Sequence, residues 1–177
     1  MPQPNISEGQ IGQLSGLIAG YIAEQRERFH GKARPIGSEG SRPLRQFFPA
    51  DVLDRVRVVR GRAPEPSFYP QLLAMGIDNA PSFSDMAGIT FQDVVVHVEP
   101  LNLPLLFHEL VHAVQYKYLG LPGFAEAYVR GFLKGGCYEE IPLEKQAYAL
   151  EARFAANPHA EFSVEADVID RIRLNHF

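Results

Sequence analysis

The chain has 177 residues, 46% of them hydrophobic and 21% charged, which suits a single soluble domain with its own core. Its 17 basic and 21 acidic residues give a net charge of −4, which leaves no electrostatic footprint for nucleic acid. Cys137 is the one cysteine, so an intrachain disulfide and a cysteine-rich metal site are both excluded.

The opening stretch, MPQPNISEGQIGQLSGLIAG, lacks a basic segment followed by an unbroken apolar run, and so does not read as a signal peptide. No run approaches the apolar length of a membrane span. A cytoplasmic protein is expected, export through a dedicated secretion system aside. Ile11, Leu14, Leu17, Ile18, Tyr21 and Ile22 recur at helical spacing and predict a helix over 10–30. Residues 31–43, rich in Gly, Ser, Pro and charge, read as a loop. A helical turn is expected at 49–54 and a strand at 56–60. The basic run Arg55, Arg57, Arg60, Arg62 reads as a solvated face. Three prolines make 61–70 irregular, and 71–76 reads as a turn of helix. ITFQDVVVHV, at 89–98, is β-branched and predicts one ten-residue strand ending at Glu99-Pro100, with His97 in a structural role.

The next segment, LPLLFHELVHAVQYKYLG, reads as a helix. Asn102 or Leu103 serves as N-cap, Pro104 falls in the first turn, and Gly120 and Pro122 end it. Within it His108, Glu109, Leu110, Val111 and His112 form an HExxH pattern. Residues four apart share a helix face, so both imidazoles can reach one metal ion. Glu109 lies about 60° around from His112 at about 100° per residue, close enough to act on water at the metal without ligating it. Leu105, His108, His112, Gln115 and Leu119 share the front of this helix, and Leu106, Phe107, Leu110 and Val114 the back. This is the layout of a zinc hydrolase helix lining a cleft.

A second helix is expected over 124–133, ended by Gly135-Gly136, with Cys137 as a small space-filling residue beyond it. A further helix runs from Pro142 to Asn157-Pro158, and a short last one over 164–174. The whole reads as one α+β domain over 1–177, a small mixed or antiparallel sheet packed on a central motif helix with further helices after it. Its parts are an N-terminal helix and loop (1–50), a sheet region (51–100), a metal-binding helical part (101–157) and a tail (158–177).

A catalytic zinc site usually takes three protein ligands. No His follows closely downstream of His112, which points to a carboxylate: Glu126, Glu139, Glu140, Glu144 or Glu151. Glu144 is preferred, because the first turn of a helix lets it point back across a hairpin. Glu140 is the first substitute and Glu126 the second.

These pieces resemble the gluzincin class of zinc metallopeptidases, and look closest to small bacterial minimal zincin domains in which a strand precedes HELxHxxQ and LExxA follows. Here they read HELVHAVQ, with Gln115, and LEKQA, with Glu144, across roughly residues 85–155. The resemblance implies a zincin-like fold and a peptidase in which His108, His112 and Glu144 hold Zn²⁺. Glu109 would be the general base, and the 89–98 strand would pair with an extended peptide or protein substrate. Tyr148, or else Tyr138, would donate to the developing oxyanion. Glu151 or Asp93 would orient the first His. Larger relatives close the cleft with a second domain, for which this chain is too short, so the resemblance leaves open narrow specificity, a protein partner that completes or gates the cleft, or weak activity. The alternatives are a catalytically weak or inactive module with a binding role, and an amidase of another kind. The intact Glu109 argues against the former, and Cys137, downstream of the motif, does not supply a deformylase-type upstream ligand.

Overall fold

The computed structural model describes residues 6–98 and 100–177. Residues 1–5, part of the stretch read for a leader, and Glu99, the expected end of a strand, lie outside the described residues. Ser7 opens the first helix, α1 (Glu8–His30), with a capping box in which Ser7 and Gln10 bond each other's backbone N–H. Of the expected face Ile11, Leu14, Tyr21 and Ile22 are buried, together with Phe29, while Leu17 and Ile18 are half-buried.

The expected loop at 31–43 instead carries β1 (Arg34–Pro35), α2 (Gly37–Ser41) and a 3₁₀ turn (Arg42–Leu44). Two residues are too few to leave a periodic signal, and Pro35 is tolerated because β1 lies at the edge of the sheet. Then come α3 (Ala50–Arg55), β2 (Arg57–Arg60) and α4 (Tyr69–Ala74). The arginines of this region bond carboxylates and backbone carbonyls: Arg55 reaches Asp51, Arg57 reaches Ala33 O and Arg60 reaches Val98 O.

The single strand expected over 89–98 is a hairpin, β3 (Gly88–Phe91) and β4 (Val94–His97), turning at Gln92 and Asp93. A two-residue turn inside a β-branched run leaves the strand signal almost unbroken. The turn is fixed by Gln92, whose φ is 61°, and by Asp93, which grips Arg26 of α1 through Nε at 2.8 Å and Nη2 at 3.0 Å. The sheet runs β1-β2-β4-β3, with β2 parallel to β4 and the other two pairings antiparallel. Val94, Val95 and Val96 of the central strand are fully buried, and β3 is an edge.

Asn102 caps α5 (Leu103–Gly135) by accepting the Leu105 N–H at 2.9 Å. The expected stop at Gly120 is a sharp break rather than an end: Gly120 has φ 67° and ψ 170°, and the helix resumes at once with Pro122 in its new first turn. The segment expected as a separate helix at 124–133 therefore follows the motif helix with no loop between. Gly136, at φ 78°, closes α5. After a 3₁₀ turn (Tyr138–Glu140) come α6 (Pro142–Ala156) and α7 (Val164–Arg173), close to their expected bounds.

The back of the motif helix behaves as its wheel requires. Leu106, Phe107, Leu110 and Val114 enter an apolar cluster with Phe47, Val95 and Phe154, where the Phe107 and Phe154 rings stack 4.5 Å apart. Each such fully buried side chain stabilises the fold by about 1.5–3 kcal/mol. Among the described residues no helix is long and apolar enough to cross a membrane.

Two outcomes follow. The backbone at Gly120 lies in a region that only glycine occupies readily, so Gly120→Ala should lower the unfolding free energy by about 1–3 kcal/mol in urea melts. Burial alone would raise the Asp93 carboxyl, but the Arg26 guanidinium outweighs it and holds it below its ordinary value. A depressed carboxyl contributes stability above its unfolded pKa of about 3.9 and loses it as pH falls through the folded value. Asp93→Asn should therefore cost about 1 kcal/mol at pH 7, and the gap to wild type should close in acid; a gap that persists below pH ~2 would contradict this.

Candidate metal centre

His108 and His112 stand one turn apart on the first segment of α5 with their Nε2 atoms 3.1 Å from each other. Glu144, in the first turn of α6, brings Oε2 to 3.4 Å from His108 Nε2 and 3.3 Å from His112 Nε2. All three side chains are buried, and they form a group able to hold a metal ion.

Local sequence explains why α6 arrives there. Leu143, Ala147 and Leu150 anchor its inner face. The second segment of α5 passes close beneath: a Cβ at Gly131 would fall 2.5 Å from Pro142 Cδ, so glycine lets the start of α6 settle against it. Gln115 ties the two helices, its Nε2 donating to Leu143 O and to Gln146 Oε1, both at 3.0 Å. Gln146 in turn donates to Asp167 Oδ1 at 2.6 Å, bringing in α7.

The same amide fixes an imidazole. With its nitrogen engaged, Gln115 presents Oε1 to His112 Nδ1 at 2.8 Å, so that ring nitrogen carries the hydrogen and donates. His108 Nδ1 lies 3.0 Å from Glu151 Oε2 and donates likewise. In the neutral tautomers both Nε2 lone pairs then face the Glu144 carboxylate. Of the residues considered for orienting the first His, Glu151 does so, while Asp93 is held by Arg26 in the hairpin turn.

The donor set fits a cation. Three acceptors meet in a buried space, and Glu144 Oε2 receives no hydrogen bond. Ligand atoms about 2.0–2.1 Å from a tetrahedral ion lie roughly 3.3 Å apart, which is the size of this triangle. Without a metal only protons can relieve it. Burial opposes charge on His108, but Glu144 and Glu151 outweigh it and the imidazole is pushed up to about 10. Burial alone would raise Glu144, and the two imidazoles instead hold it far below the usual carboxylate range.

Glu109 is buried beside this group, where desolvation raises its carboxyl against the lowering pull of both imidazoles. Thr90 of β3 donates its hydroxyl towards Glu109 Oε2 at 2.6 Å and lies 3.0 Å from Glu109 O. Glu109, His112 and Glu144 line a cleft whose walls are otherwise largely apolar and aromatic, among them Ile18, Tyr21, Phe83, Ile89 and Phe124. Tyr148 packs its ring 4.5 Å from that of His108 and is 48% exposed, whereas Tyr138 lines the cleft near Glu144. The substitutes for the third position are elsewhere: Glu140 pairs with Lys145 and Glu126 with Arg130, both on the surface. Cys137 is half-buried before the 3₁₀ turn and is not part of the metal-holding group.

Sequence reasoning missed the Gln115–Gln146–Asp167 chain and the bond from Thr90 to Glu109. Gln115 had a signal, since it shares the helix face of the two imidazoles. The others depend on which helix or strand lies against which, which no local pattern encodes.

Fold and site together define a mixed α+β protein with a buried His-His-Glu metal-ligand group. The chain matches no protein-family model, no curated protein and no solved structure.

Because metal must displace protons held by the imidazoles, affinity should fall as pH drops below about 10, by up to tenfold per unit for each proton released. Calorimetric titration with Zn²⁺ at pH 7 in buffers of different ionisation enthalpy should show release of at least one proton. Heats that do not depend on the buffer would contradict the proton-filled site.

Proposed function

We propose that this protein is a zinc-dependent peptidase of the zincin type, with His108, His112 and Glu144 as the zinc ligands and Glu109 as the general base. The observation that carries the reading is the 3.1–3.4 Å triangle of Nε2, Nε2 and Oε2 atoms with a buried carboxylate beside it. Zinc suits this set because imidazole and carboxylate are its common ligands and three of them leave a position open. When bound, it supplies Lewis-acid polarisation of the scissile carbonyl and makes water nucleophilic near neutral pH.

The chain's residues supply the rest. Glu109 accepts a proton from the attacking water as the oxygen–carbon bond forms. It delivers that proton to the leaving nitrogen as the carbon–nitrogen bond breaks. Its raised basicity suits both transfers. Tyr148, 48% exposed with its ring 4.5 Å from that of His108, would donate its hydroxyl to the carbonyl oxygen. Glu151 and Gln115 keep the imidazoles in the tautomers that present Nε2.

The substrate strand would lie along β3, the edge of the sheet, rather than along one ten-residue strand. Phe91 and Val94 flank the two-residue turn as a hydrogen-bonded pair, and pairing alternates from there. Gly88 and Thr90 therefore direct their backbone groups outward. Buried Tyr116 takes the carbonyl of buried Thr90 at 3.3 Å, so the half-buried Gly88 would supply the edge groups for an extended peptide.

Zinc-loaded protein should cleave an unstructured polypeptide. Glu109→Gln should keep zinc and lose at least about a hundredfold in kcat. Glu144→Ala should lose more than about a hundredfold in zinc affinity, measured by chelator competition. Zinc held equally well by Glu144→Ala would remove Glu144 from the ligand set, and no cleavage by zinc-loaded wild type would leave a metal-binding module without peptidase activity.

A further inference from the structure

Strand β3 holds the general base from two sides. Thr90 Oγ1 lies 2.6 Å from Glu109 Oε2 and 3.0 Å from the carbonyl oxygen of the same residue. Two residues earlier on the same face, Gly88 passes so close to the carboxylate that a Cβ there would fall 2.6 Å from Oε1, 3.1 Å from Cδ and 3.2 Å from Cγ. Both oxygens of Glu109 are therefore set against one strand, one by a hydroxyl and the other by the absence of a side chain.

We infer that Thr90 and Gly88 are positioning residues for the general base, and that β3 couples substrate pairing to base alignment. This rests on the hydrolytic reading of the site. The physical argument is one of alternatives. A buried Glu side chain has rotatable torsions, and a small displacement of a proton acceptor costs catalysis heavily. Thr90 removes that freedom: the residue is buried, its hydroxyl bonds are made away from bulk water, and its acceptors lie on the one residue that must not move. Gly88 explains a second oddity. Glycine weakens a strand, yet here it opens an edge that would otherwise be flanked by a side chain at the carboxylate. The half-buried Gly88 backbone faces the edge of the sheet, so a peptide paired there bears directly on the strand that carries the clamp.

The test uses the full chain with zinc bound and compares Thr90→Val, Thr90→Ser and Gly88→Ala. Thr90→Val keeps the shape and loses the hydroxyl. It should bind zinc within about threefold of wild type, keep KM within about twofold and lower kcat by about tenfold or more. Thr90→Ser should recover most of the loss, which a purely structural role for the threonine methyl would not allow. Gly88→Ala should lower kcat at least as far. A second readout does not depend on turnover: the ¹³Cδ resonance of Glu109, assigned by its disappearance in Glu109→Gln, should move in Thr90→Val and return in Thr90→Ser.

Unchanged kcat in a zinc-loaded, folded Thr90→Val overturns the inference, and so does a Glu109 resonance that does not move. If zinc-loaded wild type cleaves nothing, the peptidase reading fails and the base-positioning role fails with it, while the resonance still shows whether Thr90 holds the carboxylate. Cleavage that depends on Glu109 but not on Thr90 leaves the peptidase reading standing and removes this inference alone.

Discussion

Three hydrogen-bond acceptors facing one another in a buried space need a positive charge between them. That constraint organises this molecule. His108, His112 and Glu144 present two lone pairs and a carboxylate oxygen within 3.4 Å, and the surrounding bonds prevent them from turning away. Glu151 and Gln115 hold the Nδ1–H groups, so neither ring can flip to offer a donor inward without leaving a partner unpaired. Without metal, protons fill the role: the His108 imidazole is pushed up to about 10, and, against its burial, Glu144 raises that of His112 as well. The cost of building the group is offset elsewhere, by the apolar cluster behind the motif helix and by the Gln115–Gln146–Asp167 chain that ties α5 to α6 and α7.

Three elements far apart in sequence meet at this point, and each is brought there by a small residue or a polar tie. Gly131 lets the start of α6 settle on α5, which delivers Glu144. The break at Gly120 turns the second half of α5 so that Phe124 contributes to the cleft wall. Gly88 lets β3 pass over Glu109. The cleft that results sets Glu109, His112 and Glu144 among largely apolar and aromatic walls, where the low local dielectric strengthens the interactions of the charged groups.

Much of the site was legible because its signals are local. Two His at i and i+4 with an adjacent Glu need only a helix, and Asn102 and Pro104 announce one. Glu144 was legible as a first-turn acid on a helix that returns across a hairpin, and Glu151 as its neighbour two turns on. The illegible parts follow a rule. The hairpin hid because Gln92-Asp93 lacks the glycine that usually marks a two-residue turn; Gln92 adopts a positive φ instead, with Asp93 anchored by Arg26, a residue distant in sequence. β1 hid because two residues carry no period. The ties through Gln146, Thr90 and Gly88 hid because each acts across elements, where only the tertiary arrangement decides which side chain meets which. The α+β class was expected from the order of elements; the mixed four-strand topology, with β3 rather than a long strand at the edge, was not specified by it.

The most direct test of the central claim is the X-ray absorption spectrum of zinc bound to the full chain. A first shell of nitrogen and oxygen at about 2.0–2.1 Å, with outer-shell scattering from two imidazoles and no sulfur, is the predicted result. Glu144→Ala should change the oxygen part of that shell and leave the imidazole pattern. A sulfur contribution at about 2.3 Å would place the metal at Cys137 instead, and a shell without imidazole would mean that the ion binds away from His108 and His112.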